Sequence, residues 1–189
     1  MKHGFRLISG MTSTLAYENL ANYRAFLERV DKHCAKITAE FAGKILCRAG
    51  CSGCCRHLNL FPVEAANLAA AVGKLPQETR ELLAGRADWP EEGSCPLLLD
   101  DCCLVYRERP VICRTHGLPL LTDIAGEKRV DFCEENFRGV TSLSGGMVID
   151  LDTLNRTLVA INGRFESEND GSFRNERCSI AEIIRITVS

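Results

Sequence analysis

The stretch LCRAGCSGCCRH, Leu46 to His57, crowds Cys47, Cys51, Cys54 and Cys55 into nine consecutive positions. Four reactive thiols so close together are a liability unless something holds them. Cys51-x2-Cys54 is the spacing at which one tight turn can deliver two sulfurs to a single ion, and Cys47-x3-Cys51 extends it by a further turn. Gly50 and Gly53 stand immediately before Cys51 and Cys54. A positive φ there would fold backbone N–H groups inward toward sulfur. Cys54 and Cys55 are adjacent, so a disulfide between them would be strained, and their side chains could instead serve two neighbouring sites.

Working outward, a second group follows: Cys95, Cys102, Cys103, Cys113 and Cys133. With Cys34 and Cys178 the chain carries 11 cysteines in 189 residues. The N-terminal MKHGFRLISGMTST lacks the apolar run of a secretory signal, and no later segment approaches membrane-spanning length. The expected compartment is therefore a reducing cytoplasm, where clustered cysteines bind metal more often than they form disulfides. Lys and Arg number 23 against 25 Asp and Glu, a net charge of -2. No basic field invites nucleic acid. The hydrophobic fraction of 46% supports an ordinary core without staples.

The rest of the chain brackets the cysteines with helices. Residues 14–42 carry Leu20, Tyr23, Leu27, Val30, Cys34, Ile37 and Phe41 at steps of three and four, the stripe of one long amphipathic helix. Ser13 or Thr14 can cap it and Gly43 can end it. Its stripe is expected to pack on the same chain in preference to a coiled-coil dimer. HLNLF reads as a short strand, PVEAANLAAAVGK as a helix opened by Pro62, and LPQETRELLAGRADW as a second helix starting near Pro76. EEGSCPLLLDDCCLVY gives two short extended pieces around an Asp-Asp turn. RPVICRTHG gives a short helix entered by Pro110 and stopped by Gly117, and LPLLTDIAGEKRVDFC a hairpin turning near Gly126. Asp152 can cap a helix that stops at Gly163, RFESENDGSFRNER reads as a surface loop, and Ser179 can cap a last helix.

The expected fold is mainly α with small β-hairpin elements, around an irregular, metal-held, cysteine-rich centre. Its parts are an N-terminal amphipathic helix (1–43), a cysteine-cluster metal-binding core (44–139) and a C-terminal helical part packing on the same domain (140–189). Arg48, Arg56, Arg107, Arg109 and Arg114 are interleaved with the cysteines and could neutralise thiolate charge, Arg109 and Arg114 foremost. Tyr106 is expected to pack over the site.

CRAGCSGCC, then Cys95-Pro96, then CLVYRERPVICRTHG from Cys103 to Gly117, together resemble the YkgJ-type cysteine-cluster family, also described as a zinc- or iron-chelating domain. The resemblance covers about residues 47–133. It implies eight metal ligands: Cys47, Cys51, Cys54, Cys55, Cys95, Cys103, Cys113 and Cys133. The family's first gap is usually two residues, and here it is three. Cys102 falls outside the pattern as a spare thiol, Cys34 reads as core, and Cys178 as structural. His57 and His116 lie near enough to substitute as ligands but read better as ordinary partly exposed or core histidines.

All-thiolate donors suit zinc and iron alike, the latter including an Fe–S cluster. An Fe–S centre would permit redox work, and the domain's occurrence in flagellin lysine-methylating proteins points toward a modification reaction. A closed zinc site would instead stabilise a non-catalytic module that binds a protein partner. Cys47-x3-Cys51-x2-Cys54 also matches the spacing of radical S-adenosylmethionine enzymes. The chain lacks their successive strand–helix units, and further cysteines offer a fourth thiolate that would close the open iron. No Ser-His-Asp set, phosphate-cradling glycine loop or carboxylate pair stands beside the cluster, so no catalytic residue is assigned.

Overall fold

The computed structural model describes residues 19–86, 93–169 and 177–188. Among these, six α-helices and seven short strands follow in chain order. Helix α1 spans Ala21–Glu40 and buries Tyr23, Phe26, Leu27, Val30, Cys34 and Ile37. The expected stripe is therefore real, with Phe26 added. It packs against helices α4 (Val111–Thr115) and α5 (Leu151–Glu168) of the same chain. Positions 14–18 and the proposed Ser13 or Thr14 cap lie outside the described residues.

Helix α2, Pro62–Val72, is buried nearly all round, with Val63, Ala65, Ala66, Leu68 and Val72 all in the core. A helix apolar on every side belongs at the centre of a fold, and its run of alanines lets neighbouring backbones come close. It contacts α5, the last helix α6 (Ile180–Val188) and the 3-10 turn at Tyr106–Glu108. Helix α3, Gln77–Ala84, leans on α6. Glu64 enters this core for a polar reason. Its carboxylate accepts hydrogen bonds from the amide of Phe61 at 3.3 Å, the amide of Val111 at 3.1 Å and the hydroxyl of Tyr23 at 3.4 Å. One side chain thus joins α1, the start of α2 and the start of α4. Burial pushes its pKa up, and these donors pull against that shift.

The strands are short. β1 (Asn59–Leu60) pairs antiparallel with β7 (Cys178–Ser179). β2 (Leu98–Leu99) pairs with β3 (Cys102–Cys103) across Asp100 and Asp101, both with positive φ. Asp tolerates this left-handed geometry, which a two-residue hairpin of this twist requires. β4 (Leu120–Ile124) pairs antiparallel with β5 (Glu127–Asp131) and parallel with β6 (Ile149–Asp150). The Asp-Asp turn and the hairpin near Gly126 were both legible in the residues.

Two expectations change at the C-terminal helices. The cap of α5 is Asp150, whose carboxylate accepts the Thr153 amide at 2.9 Å, and not Asp152. The helix also runs through Gly163 to Glu168. A single helical glycine costs about 1 kcal/mol relative to alanine, and burial of Phe165 at 2% exposure one half-turn later outweighs it. The start of the expected surface loop, 164–168, is therefore helical, and residues 170–176 lie outside the described residues. Ser179 behaves as expected: its hydroxyl accepts the Glu182 amide at 3.2 Å while Glu182 accepts the Ser179 amide at 2.8 Å, a reciprocal capping box.

Replacing Glu64 by Ala leaves two backbone amides and a phenol without their acceptor in the core. The expected loss is about 2–3 kcal/mol of folding free energy, read as a lower midpoint of urea unfolding with an unchanged slope.

Candidate metal centre

The cysteine-bearing connections are held together by backbone and polar side-chain bonds, and all 11 cysteines are free thiols. The knuckle 47–55 is two consecutive tight turns, with the Cys51 amide donating to the Arg48 carbonyl at 3.0 Å and the Cys55 amide to the Ser52 carbonyl at 2.8 Å. Gly50, at φ +85, makes the first turn possible; Gly53 does not adopt positive φ, against expectation. The segment before β2 then pairs with the end of the knuckle: the Cys95 amide donates to the Cys55 carbonyl at 3.0 Å and the His57 amide to the Gly93 carbonyl at 3.2 Å. The Ser52 hydroxyl donates to the Asp101 carboxylate at 2.6 Å, tying the knuckle to the β2–β3 turn.

These links close a cavity of about 880 Å³. Seven of the eight nominated cysteines line it: Cys47, Cys51, Cys54, Cys55, Cys95, Cys103 and Cys113. Cys47, Cys51 and Cys54 are exposed, whereas Cys55, Cys95, Cys103 and Cys113 are half-buried. Cys133 is not on the cavity wall. It stands with Cys47 around Gly117, where a β-carbon would fall 3.4 Å from the Cys47 sulfur and 3.5 Å from the Cys133 β-carbon. Gly117 has φ +87, so both space and backbone favour glycine there.

Among the described residues, no group of three or more Cys, His, Asp or Glu side chains converges tightly enough to grip an ion as it stands. The donor chemistry nevertheless fits a soft cation. Burial pushes the Cys95 thiol up to about 11 and the Cys113 thiol up to about 12, the latter reinforced by the charges of Cys95, Cys103 and Cys55. Burial likewise raises Cys54, which also feels Cys55, Cys47 and Cys51, and raises Cys55, which feels Cys103. Crowded thiolates repel, and a cation among them reverses both penalties. The backbone already favours the anion at two positions, with Leu97 hydrogen-bonding the Cys95 sulfur and Val105 the Cys103 sulfur.

The arginines divide. Arg114, 7% exposed, spends its donors on the carbonyls of Arg109 and Arg107 and on the Asp31 carboxylate. It clamps the 107–110 turn, and its charge also opposes the upward shift of the Cys34 thiol. Arg109 lies over the Tyr106 ring at 3.9 Å, and its charge opposes the upward shifts of Cys55 and Cys103. Arg48 and Arg56 also reach the cavity wall. Tyr106 is 63% exposed; it borders the cavity and stacks on Arg109.

His57 accepts the Ala181 amide at 3.1 Å through Nε2, which commits it to the start of α6. His116 remains on the cavity rim. Cys102 lies exposed on β3 and also borders the cavity. Cys34 is buried beside the cavity and donates to the Arg114 carbonyl at 3.6 Å, with burial raising it to about 11. Cys178 is fully buried under β7.

Asn136 is the residue that spacing missed. It is 1% exposed; its side-chain amide reaches the Cys47 sulfur at 3.3 Å and donates to the Gly117 carbonyl at 2.8 Å, and its oxygen accepts the Leu46 amide at 2.9 Å. A buried asparagine within CEENF, Cys133 to Phe137, carries no local signature. Only its tertiary contacts reveal it.

Free thiols from distant parts of the chain thus line one cavity. Consistent with this, residues 46–134 match the family model CxxCxxCC, described as a putative zinc- or iron-chelating domain. The match supports metal binding in general and does not carry the narrower YkgJ designation. Comparison with curated proteins and with solved structures gives no match.

Replacing Asn136 by Ala is expected to destabilise the fold by about 1–3 kcal/mol through the unpaired Leu46 amide and Gly117 carbonyl. The same variant should alkylate faster at Cys47, measured by iodoacetamide labelling and peptide mass spectrometry.

Proposed function

We propose that this protein binds zinc or iron through Cys47, Cys51, Cys54, Cys55, Cys95, Cys103, Cys113 and Cys133. The observation that carries this reading is the enrichment of one cavity in seven of these thiols, all free of disulfides, from connections spread over 67 positions from Cys47 to Cys113. An ordinary interior scatters its cysteines, and a disulfide scaffold pairs them. Neither gives seven unpaired sulfurs around one space. The eighth, Cys133, adjoins Cys47 at Gly117.

When bound, the metal supplies a crosslink between loops if it is zinc, or a redox-active centre if it is iron, as single ions or as an Fe–S cluster. The chain's own residues hold the thiols in register, place the Arg109 cation beside Cys55 and Cys103, and wall the site with Leu97, Val105 and Leu118. A reducing cytoplasm suits the free thiols. With iron, a redox or protein-modification role follows; with zinc, the activity belongs to the outer surface and a protein partner.

Anaerobic purification with elemental and sulfide analysis is the test. The expected result is stoichiometric zinc, or iron with sulfide and a brown, broadly absorbing spectrum. Protein that is fully folded, metal-free after purification and zinc or iron supplementation, and open to alkylation at all eight cysteines would overturn the proposal. Cys54→Ser should lower metal content and soluble yield because binding and folding are coupled. Cys102→Ser should leave both unchanged.

A further inference from the structure

The cavity is larger than a metal requires. Its volume of about 880 Å³ falls within the range of small-molecule pockets, whereas thiolates close on an ion at about 2.3 Å. Part of its wall also belongs to helices that carry none of the nominated cysteines. Ala35 and Ala39 line it from α1, Leu68 from α2 and Ile180 from α6, the last two being fully buried core residues. Drawing the thiols onto a metal therefore leaves room against these helices.

The charges on that wall are unevenly matched. Its two carboxylates are engaged, Asp31 by Arg114 and Asp101 by the Ser52 hydroxyl. Arg48, Arg56 and Arg109 line the same cavity, and among the described residues none of the three is ion-paired with a carboxylate. Arg109 is the oriented one. Its guanidinium stacks on the Tyr106 ring at 3.9 Å, which fixes the plane of the head without spending an N–H donor. Its Nε is buried with no hydrogen-bond partner, a state that carries a cost until an acceptor arrives. Arg114 is the opposite case, with its donors spent on two carbonyls and Asp31. The Tyr106 ring is 63% exposed and can yield as an anion reaches the Nε edge.

We propose that this cavity binds a small organic carboxylate, with its head group on Arg109 and its apolar body against Leu68, Leu118 and Ile180. A planar guanidinium fork bonds both oxygens of a carboxylate and needs nothing more, whereas a phosphate draws on further donors such as backbone amides. The apolar side chains favour a ligand with a hydrocarbon portion over a bare inorganic anion. The inference goes beyond chelation and does not require it, because the arginine and the helical wall are set by the fold and not by what the sulfurs hold. Where metal is bound, the carboxylate shares its cavity.

Hexanoate is the probe, titrated against the anaerobically purified full-length protein by ligand-observed NMR, with hexanol and hexyl phosphate in parallel and metal content measured throughout. The expected result is saturable binding of hexanoate and at least about tenfold weaker binding of hexanol, which keeps the chain and loses the charge. Arg109→Gln should weaken hexanoate about tenfold or more at unchanged metal content, and Arg107→Gln, off the cavity wall, should not. Ala39→Phe puts a ring into the cavity from an exposed position of α1 and should block hexanoate with the fold intact, a test that stands even if the Arg109 variant folds poorly. Absence of saturable binding, or hexanoate bound equally by wild type and either of these two cavity variants, would overturn the proposal. Tighter binding of hexyl phosphate would overturn the carboxylate assignment, and loss of metal together with hexanoate in Arg109→Gln would assign the arginine to the sulfurs instead. Wild-type protein that binds hexanoate but neither zinc nor iron would overturn chelation and leave this site standing.

Discussion

Thiols crowded behind a partly apolar wall resist ionisation, because burial and neighbouring charge both oppose the thiolate. That constraint organises the molecule from Cys47 to Cys133. Burial, reinforced by neighbouring charges, pushes Cys95 to about 11 and Cys113 to about 12, far from the range in which a thiol ionises unaided at neutral pH. The chain nevertheless keeps these groups together, and it does so with no sulfur tied into a disulfide. The Ser52–Asp101 hydrogen bond, the Cys95–Cys55 backbone bond and the three contacts of Asn136 do the joining. The scaffold is thus built to bring thiols near one another and to leave their last approach to whatever they bind.

The helices matter because they fix where those connections begin and end. α2 is buried nearly all round and lies in the middle, so the loops that leave its ends start from a rigid body. Glu64 at its N-terminal end fastens the start of α4, and α4 carries Cys113. Arg114, next in sequence, fastens the preceding turn to itself and to Asp31 on α1. Two buried polar residues, each with several partners, therefore position a cysteine that neither of them touches through a sulfur bond. Buried polar groups that are fully satisfied specify a unique arrangement in a way apolar contacts alone do not.

Local features of this fold were legible in the residues because their causes are local. The stripe of α1 follows from apolar steps of three and four, the Asp100–Asp101 turn from the tolerance of Asp for left-handed φ, and the capping box of α6 from Ser179 three positions before Glu182. The failures share a different cause. α5 continues past Gly163 because Phe165 finds the core, and Asp150 displaces Asp152 as cap because β6 sets where the chain enters the helix. Arg114 could be read as a counter-ion from its place beside Cys113, yet its partners are carbonyls and Asp31, 83 positions away from it. Glu64 and Asn136 likewise act across 47 and 89 positions. Composition and spacing carry no record of such partners.

The same reasoning resolves the unusual first gap. Three residues separate Cys47 from Cys51, one more than the usual pattern of similar cysteine clusters. Counting along the chain would set Cys47 apart from its neighbours. In the fold, Gly50 at φ +85 turns the added length back on itself, with the Cys51 amide returning to the Arg48 carbonyl. Cys47 then takes its position from the far side, from Asn136 and the open face of Gly117, and not from the knuckle. A ligand held by a distant anchor is free of the spacing rule that governs ligands held by their own turn. The length of that gap can therefore vary as long as the Asn136–Gly117 contact is kept.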